Sequence, residues 1–224
     1  KTTEVVNFAQ GELLMLGGFF AFTFIALLGL NYWVGFALAV ICMAAFGAIS
    51  ERFVLRPILG NPQFSIVMAT IGLGFFLRSV AGMIWGTDDL KIDTPFSNGV
   101  LRIGDLVLAH DKLSVIVATA ILCTVLYLFF TKTQLGTAMR AVSYNIPNAA
   151  LMGVNVNFVI SFTFVLGSAL AAAGGVLLAV KFNLQQTAHP QWVMLGLTAF
   201  VAAVVGGVGN IRGAMVGAFL IAFI

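Results

Sequence analysis

Long apolar runs separated by short polar stretches are the feature that most constrains the fold of this chain. An α-helix needs about 20 mostly apolar residues to cross the hydrocarbon core of a bilayer. Runs of that kind lie at 13–30, 33–50, 64–85, 113–130, 158–180 and 192–208. A further apolar run begins near Gly213 and continues to the end of the sequence. The sequence therefore predicts an all-α polytopic membrane protein, a bundle of about seven spans with some broken helices.

The composition excludes several other classes of protein. Charged residues make up 8% of the chain and hydrophobic residues 61%, whereas a soluble domain carries roughly 25% charged residues. The basic residues are scattered over the loops, so no nucleic-acid surface is expected. The chain lacks an initiating Met and ends inside an apolar run. We therefore expect a single transmembrane domain over 1–224 that is a fragment of a longer chain, truncated at both ends.

The charges of the loops predict an orientation. The segment 51–57 carries two arginines, and the segment 131–157 carries Lys132 and Arg140 without any acidic residue. By the parity of the spans these two segments share a side, which the positive-inside rule makes cytoplasmic. The loop 86–112 lies on the opposite side and holds five aspartates against three basic residues. We expect this loop to be external.

The external loop has a pattern typical of strands. Its segments 90–96 and 100–108 alternate partly between apolar and polar residues, and Ser97-Asn98-Gly99 lies between them. An Asn-Gly pair flanked by such runs is a strong hairpin signal. We predict a small external β-hairpin, which either caps the helix bundle or contacts an external partner.

The segment 131–157 reads as two short helices. The first begins at Gly136, and Asn145 or Ile146 ends it because the residue before a proline is disfavoured in the α region. Pro147 suits the first turn of the second helix, and Gly153 suits a left-handed cap after it. An amphipathic pair must bury its apolar face against a membrane interface or in the groove of a partner. The residues alone leave both possibilities open.

A few polar residues lie close to the spans and are candidates for function. Asn7, Gln10, Gly11 and Glu12 precede or begin the first span. Such groups either line a substrate path, as in the broken helices of transporters, or cap a helix that has Glu12 in its first turn. Arg78 lies inside the third span, where we favour extension of its side chain to the interface over a role in a path.

Four glycines interrupt the last two spans, namely Gly206, Gly207, Gly209 and Gly213. They mark either a plain turn or a helix break against a cavity. No phosphate-binding loop of the G-x-x-x-x-G-K-[ST] type is present. Neither the histidines nor the cysteines have metal-ligand or redox spacing. We therefore expect neither an enzyme nor a metal site, and no cofactor bound by this chain.

Four stretches together resemble a known family. They are VVNFAQGELLMLGGF at 5–19, ERFVLRP at 51–57, GTAMRAVSYNIPNAALMGVNVN at 136–157 and VVGGVGNIRGAMVGAF at 204–219. They are similar to the N-F-A-H-G-E, E-R-x-x-x-R-P, G-x-A-x-R-A…A-x-x-x-G-I-N and G-G-x-G-x-x-x-G-A segments of the LivH-type permeases of branched-chain amino-acid ABC importers. Gln10 stands where that family often has His, and Asn148 stands where an acidic residue is usual in the coupling loop of importers.

The resemblance implies a permease subunit that moves branched-chain, apolar amino acids across the bacterial cytoplasmic (inner) membrane by alternating access. The implied partners are a second related permease subunit, two cytoplasmic ATPase subunits that use the ATP, and an external solute-binding protein. The segment 131–157 would be the cytoplasmic coupling segment that seats on an ATPase subunit. The residues expected to contribute are Gly136, Arg140, Ala141, Asn148, Ala149 and Gly153.

Two alternatives remain. The same architecture resembles permeases for urea or short amides, and the Asn7 and Gln10 amides suit either kind of solute. A secondary transporter without an ATPase would instead require ionisable residues coupled across the spans. Only Glu12 and Arg78 approach that requirement.

Overall fold

The computed structural model describes residues 7–58, 60–86, 90, 100–103, 106–181, 191–207 and 211–222. Its α-helices are α1 (Gln10–Phe22), α2 (Tyr32–Ser50), α3 (Gln63–Trp85), α4 (His110–Lys132), α5 (Gln134–Tyr144), α6 (Ile146–Leu151), α7 (Val156–Lys181), α8 (Gln191–Gly206) and α9 (Ile211–Ala222). A π-helical turn, Thr23–Leu27, continues α1. A second, Glu51–Leu55, continues α2 and leads into a 3₁₀ turn, Arg56–Ile58.

Five helical segments of the described part are long and apolar enough to cross a membrane. They are Gln10–Leu27, Tyr32–Ile58, Phe64–Trp85, Leu113–Lys132 and Val156–Ala179. The two remaining predicted spans coincide with shorter apolar helices, Trp192–Gly206 and Gly213–Ala222. The prediction of an apolar helical bundle is therefore confirmed for five spans, and the count of seven is not.

The first helix lies at the centre of the bundle and packs against α2, α3, α7 and α8. Its residues Leu13, Met15 and Phe19 are buried in the main apolar core. Small residues bring α1 and α7 together, because a Cβ at Gly17 would overlap the backbone of Ala172. Close approach through small residues is the usual way in which membrane helices associate.

The strands differ from the predicted hairpin. Val100–Ile103 (β1) pairs antiparallel with Leu106–Ala109 (β2), with Val100 opposite Ala109 and Ile103 opposite Leu106. The stretch 100–108, which we predicted as one strand, therefore contributes to both strands of this pair, and the prediction of a single strand there is wrong. Gly104-Asp105, a Gly-X pair between the strands, is itself a hairpin signal. The predicted turn at 97–99 lies outside the described residues.

Candidate functional site

The chain enters α1 through a turn that Asn7 organises. The Ala9 N–H donates to Oδ1 of Asn7 at 3.0 Å, and the Gln10 N–H donates to its carbonyl oxygen at 3.3 Å. The Phe8 N–H donates to Oγ1 of Thr70, a fully buried residue of α3, at 3.4 Å. These contacts fix the start of α1 against α3.

A cavity of about 200 Å³ lies between the start of α1 and the middle of α7. Its lining consists of Asn7, Gln10, Thr163, Phe164, Gly167 and Ser168. Nε2 of Gln10 donates to the carbonyl oxygen of Gly167 at 3.3 Å, so the two walls are hydrogen-bonded to each other. The lining offers amides, hydroxyls and one aromatic ring, without a charged side chain. Such a surface can both donate to and accept from a small polar solute.

The structure thus brings together two of the four predicted pathway residues, Asn7 and Gln10, and adds a strip of α7 that sequence reasoning missed. The signal for that strip was present but weak. Thr163 with Gly167, and Phe164 with Ser168, are two pairs spaced four apart, the spacing that places residues on one helix face.

Gly11 faces away from the cavity. A Cβ at Gly11 would overlap the carbonyl oxygen of Trp192, so this glycine permits close packing of α1 on α8. Trp192 itself is buried, at 5% exposure. Gly11 is therefore a packing residue.

Glu12 is also absent from the cavity lining, and it forms an ion pair with Arg78 on α3. Nη2 of Arg78 lies 3.1 Å from Oε1 of Glu12. Gly74, one turn before Arg78, leaves room for the carboxylate, because a Cβ there would lie 3.2 Å from Oε2. Our expectation that Arg78 extends to the interface is wrong, since its charge is neutralised inside the bundle.

The segment 131–157 has the predicted pair of helices. The Thr133 hydroxyl caps α5 by accepting from the Gly136 N–H at 3.0 Å. The Asn145 side chain caps α6 by accepting from the Asn148 N–H at 3.1 Å, with Pro147 in the first turn. Gly153 follows α6 with φ +83°, the left-handed conformation expected of a glycine cap.

The apolar face of this segment packs on its own bundle. Met139 and Val142 of α5 and Ala149 of α6 are buried with Val159 of α7. A Cβ at Gly136 would lie 2.6 Å from the Phe129 carbonyl oxygen, so this glycine lets α5 fold tightly against α4.

The outward face of the segment combines polar and apolar residues. Arg140 and Asn148 are exposed, and Ala141 is partly buried. Nη2 of Arg140 lies 3.4 Å from the hydroxyl of Thr137, one turn away. We call Tyr144, Leu151 and Met152 the apolar tip, because they are exposed by 89%, 86% and 85%.

Gly206 of α8 and Gly213 of α9 form a close contact between these two helices. A Cβ at Gly206 would overlap the carbonyl oxygen of Gly213, so the two helices cross at these residues. Gly207 adopts φ +92° directly after α8. Gly209 lies outside the described residues. Gly206, Gly207 and Gly213 do not line the cavity between α1 and α7, and both interpretations of this stretch, a plain turn or a helix break, stay predictions. Within the described residues, no three His, Cys, Asp or Glu side chains are grouped to hold a metal ion.

Comparison with known proteins gives a consistent match. Residues 1–224 match the family model described as branched-chain amino acid transport system / permease component. The chain is 32% identical over 229 residues to the high-affinity branched-chain amino acid transport system permease protein BraD of Pseudomonas aeruginosa. It is 31% identical over 236 residues to LivH of Escherichia coli K12 and 32% identical over 233 residues to LivH of Salmonella typhimurium. Each match covers 97% of this chain and 74% of the relative. No solved structure matches the chain.

Proposed function

Because the chain belongs to the branched-chain amino acid transport permease family, we propose that it is the permease subunit of an ATP-driven importer. Its solutes are branched-chain, apolar amino acids, which it moves by alternating access. We take the solute class from the names of the similar permeases from Pseudomonas and Escherichia, which are branched-chain amino acid transport permeases. The arrangement of an uncharged polar cavity beside a buried central helix is the structural observation that supports transport.

The protein is a multi-pass membrane protein, and the described part of the chain has five helices able to span a bilayer. In the proposed assembly it lies in the bacterial cytoplasmic membrane, paired with a second related permease. The shorter helices α8 and α9 complete a bundle of about seven spans, and the loop 86–112 with its β-hairpin faces outward. Two cytoplasmic ATPase subunits bind the ATP, an external protein delivers the solute, and this chain binds no cofactor.

The cavity between α1 and α7 is the proposed solute path. An amino acid carries an ammonium group that needs acceptors and a carboxylate that needs donors. The amides of Asn7 and Gln10 supply both, and the hydroxyl of Ser168 adds to them. The ring of Phe164 offers a surface to an apolar side chain. A volume of about 200 Å³ is below the range of drug-sized sites and suits a small solute.

The coupling segment is the proposed contact with an ATPase subunit. Its inner face is already buried against α4 and α7, so only the outer face is available to a partner. That face presents the apolar tip together with Arg140 and Asn148. A small apolar patch with polar groups around it is typical of a docking surface.

The experiment is uptake into liposomes that contain the permease pair and the ATPase subunits, with the solute-binding protein outside. We expect leucine to accumulate only with ATP in the ATPase compartment, and urea not to accumulate. Arg140→Glu should reduce uptake, whereas Lys132→Glu, an equal charge reversal at an exposed residue before α5, should not. Accumulation of urea in place of leucine would indicate the amide permease, and leucine uptake without ATPase subunits would indicate a secondary transporter.

A further inference from the structure

Glu51 is a buried carboxylate at the point where α2 changes from α-helix to π-helix. Its side chain is only 3% exposed. Oε2 accepts a hydrogen bond from Oγ of Ser161, on α7, at 3.0 Å. Oε1 lies 3.5 Å from Nε of Arg56, without a hydrogen bond among the described residues. The hydroxyl of Ser161 is thus the closest polar contact of this carboxylate.

This arrangement compensates the buried charge only in part. A carboxylate removed from water is costly unless hydrogen bonds and an opposite charge replace its hydration. Here the opposite charge belongs to Arg56, whose side chain is 44% exposed and therefore screened by solvent. An apolar residue of similar size would satisfy packing at lower cost. Stability therefore explains the presence of a carboxylate at this position poorly. The hydrogen bond of Glu51 to Ser161 of α7 explains it better.

Ser161 lies in the second turn of α7, between the contacts of this helix with α5 and α6 and the cavity. Two residues before it, Val159 is buried in the cluster that holds α5 and α6, and Phe162 packs against the same cluster. Beyond it along the helix, residues 163, 164, 167 and 168 line the cavity. The distance along the helix from Ser161 to Gly167 is roughly 9 Å at 1.5 Å per residue. One short stretch of α7 therefore contacts the coupling segment, Glu51 and the cavity.

The contact between α2 and α7 continues beside the cavity. Gly47 lies one turn before Glu51, and a Cβ there would overlap Oγ of Ser168 and lie 3.0 Å from the Phe164 carbonyl oxygen. The helices therefore touch through backbone at Gly47 and through a polar contact at Glu51. A tilt of α7 must carry α2 with it or break the hydrogen bond between Glu51 and Ser161.

We propose that Glu51 is a positioning residue that ties the end of α2 to α7, so that a displacement of the coupling segment moves α2 together with the α7 wall of the cavity. The inference rests on the proposed function, because it gives Glu51 a role in coupling within the proposed importer. It gives Glu51 no role in solute binding. Among the described residues, the polar neighbours of Glu51 are Ser161 and Arg56, and neither of them lines the cavity. Glu51 transmits the movement of α7 to α2.

The test is the number of solute molecules accumulated per ATP hydrolysed by the complete importer in liposomes. Glu51→Ala and Ser161→Ala should each lower this ratio by about tenfold, as expected when one hydrogen bond to a charged group is lost. The double variant should be no worse than either single variant, because both remove the same contact. Glu51→Gln should retain most of the ratio, since an amide oxygen also accepts from the Ser161 hydroxyl.

The matched control is Ser79→Ala. Ser79 is an exposed serine whose hydroxyl, among the described residues, donates only within its own helix, to the Phe75 carbonyl oxygen at 3.0 Å. Its loss should leave the ratio unchanged. Thermal unfolding in detergent must be alike for all variants. A normal ratio in Glu51→Ala, or strictly additive losses in the double variant, would overturn the proposal. A wild-type importer that accumulates urea overturns the proposed solute but leaves this ratio measurable with urea, and wild-type uptake without ATP overturns both.

Discussion

Arg78 donates from Nη2 to Oε1 of Glu12 over 3.1 Å, and this ion pair joins α3 to the first turn of α1. Only 19% and 7% of the two side-chain areas are exposed. A buried pair adds little net stability, because the desolvation of both charges offsets their attraction. Removal of one partner has a much larger effect, since the other charge then remains buried alone.

We predict that Arg78→Ala destabilises the protein by about 3–5 kcal/mol, the usual cost of breaking a buried pair. The paired replacement of Glu12→Leu with Arg78→Met should restore most of the loss. Thermal unfolding of the purified protein in detergent measures both effects. Arg140→Ala, at an exposed arginine, is the control, and an Arg78→Ala protein as stable as this control would contradict the pairing.

Gly74 and Gly72 form a matched pair on α3. A Cβ at Gly74 would lie 3.2 Å from both Cδ and Oε2 of Glu12, whereas a Cβ at Gly72 meets nothing within 4 Å. Gly74→Ala should therefore lower the free energy of unfolding by about 1 kcal/mol through overpacking. Gly72→Ala should be neutral or stabilising by up to about 1 kcal/mol, the helix-propensity gain. Equal effects of the two changes on the melting temperature would show that the Glu12 carboxylate does not lie against Gly74.

Neighbouring glycines of α7 offer a second comparison. A Cβ at Gly175 would overlap the Leu14 carbonyl oxygen, while a Cβ at Gly174 meets only the flexible end of the Leu14 side chain, at 3.2 Å. We expect Gly175→Ala to destabilise by about 1–3 kcal/mol and Gly174→Ala to be tolerated. Melting temperature and monodispersity in detergent report the difference. A stable Gly175→Ala protein would refute the close contact of α1 and α7.

Gln10→Ala removes an amide from the cavity and its hydrogen bond to Gly167. We expect the KM for leucine uptake to rise roughly fivefold, the equivalent of about 1 kcal/mol for one hydrogen bond. ATP hydrolysis without solute should not change. Gln134→Ala, at an exposed glutamine of α5, is the control. An unchanged KM in Gln10→Ala would place the solute path elsewhere.

The paired change of Leu151→Ser and Met152→Ser removes most of the apolar tip. Both residues are more than four-fifths exposed, so the free energy of unfolding should change by less than about 0.5 kcal/mol. Co-purification of the ATPase subunits should nevertheless fall sharply, because the docking patch loses its apolar groups. Asn157→Ala, at the exposed last residue of the segment 131–157 and away from the apolar tip in sequence, should retain the ATPases. Full retention by the serine variant would rule out the tip as the contact.

Local chemistry explains what could be predicted from the sequence. The pair α5 and α6 follows from a proline, a glycine and capping side chains that all lie within a few residues of the helix ends they determine. The apolar runs likewise predict spans without reference to the rest of the chain. The hairpin turn was predicted at Asn98-Gly99, whereas the two strands that the structure pairs, Val100–Ile103 and Leu106–Ala109, flank Gly104-Asp105 in the sequence.

Contacts between distant residues could not be predicted in this way. Glu12 and Arg78 are 66 residues apart, and Glu51 and Ser161 are 110 apart. Nothing in the local pattern of Arg78 distinguishes a side chain that reaches the interface from one that meets a carboxylate on another helix. The α7 wall of the cavity was missed for the same reason. Only the packing of α7 on α1 places Thr163 and Ser168 around the same cavity as Asn7 and Gln10.

The glycine contacts between α1 and α7 also bear on how solute preference can be altered. At Gly17 and Gly175 the two helices meet through backbone atoms, so they can neither approach further nor accept a bulkier residue there. On the proposed assignment, the width of the path is therefore set by a rigid frame. Redesign for a different solute then has to act through the side chains at 163, 164 and 168, which makes this strip the first target for a focused mutant library.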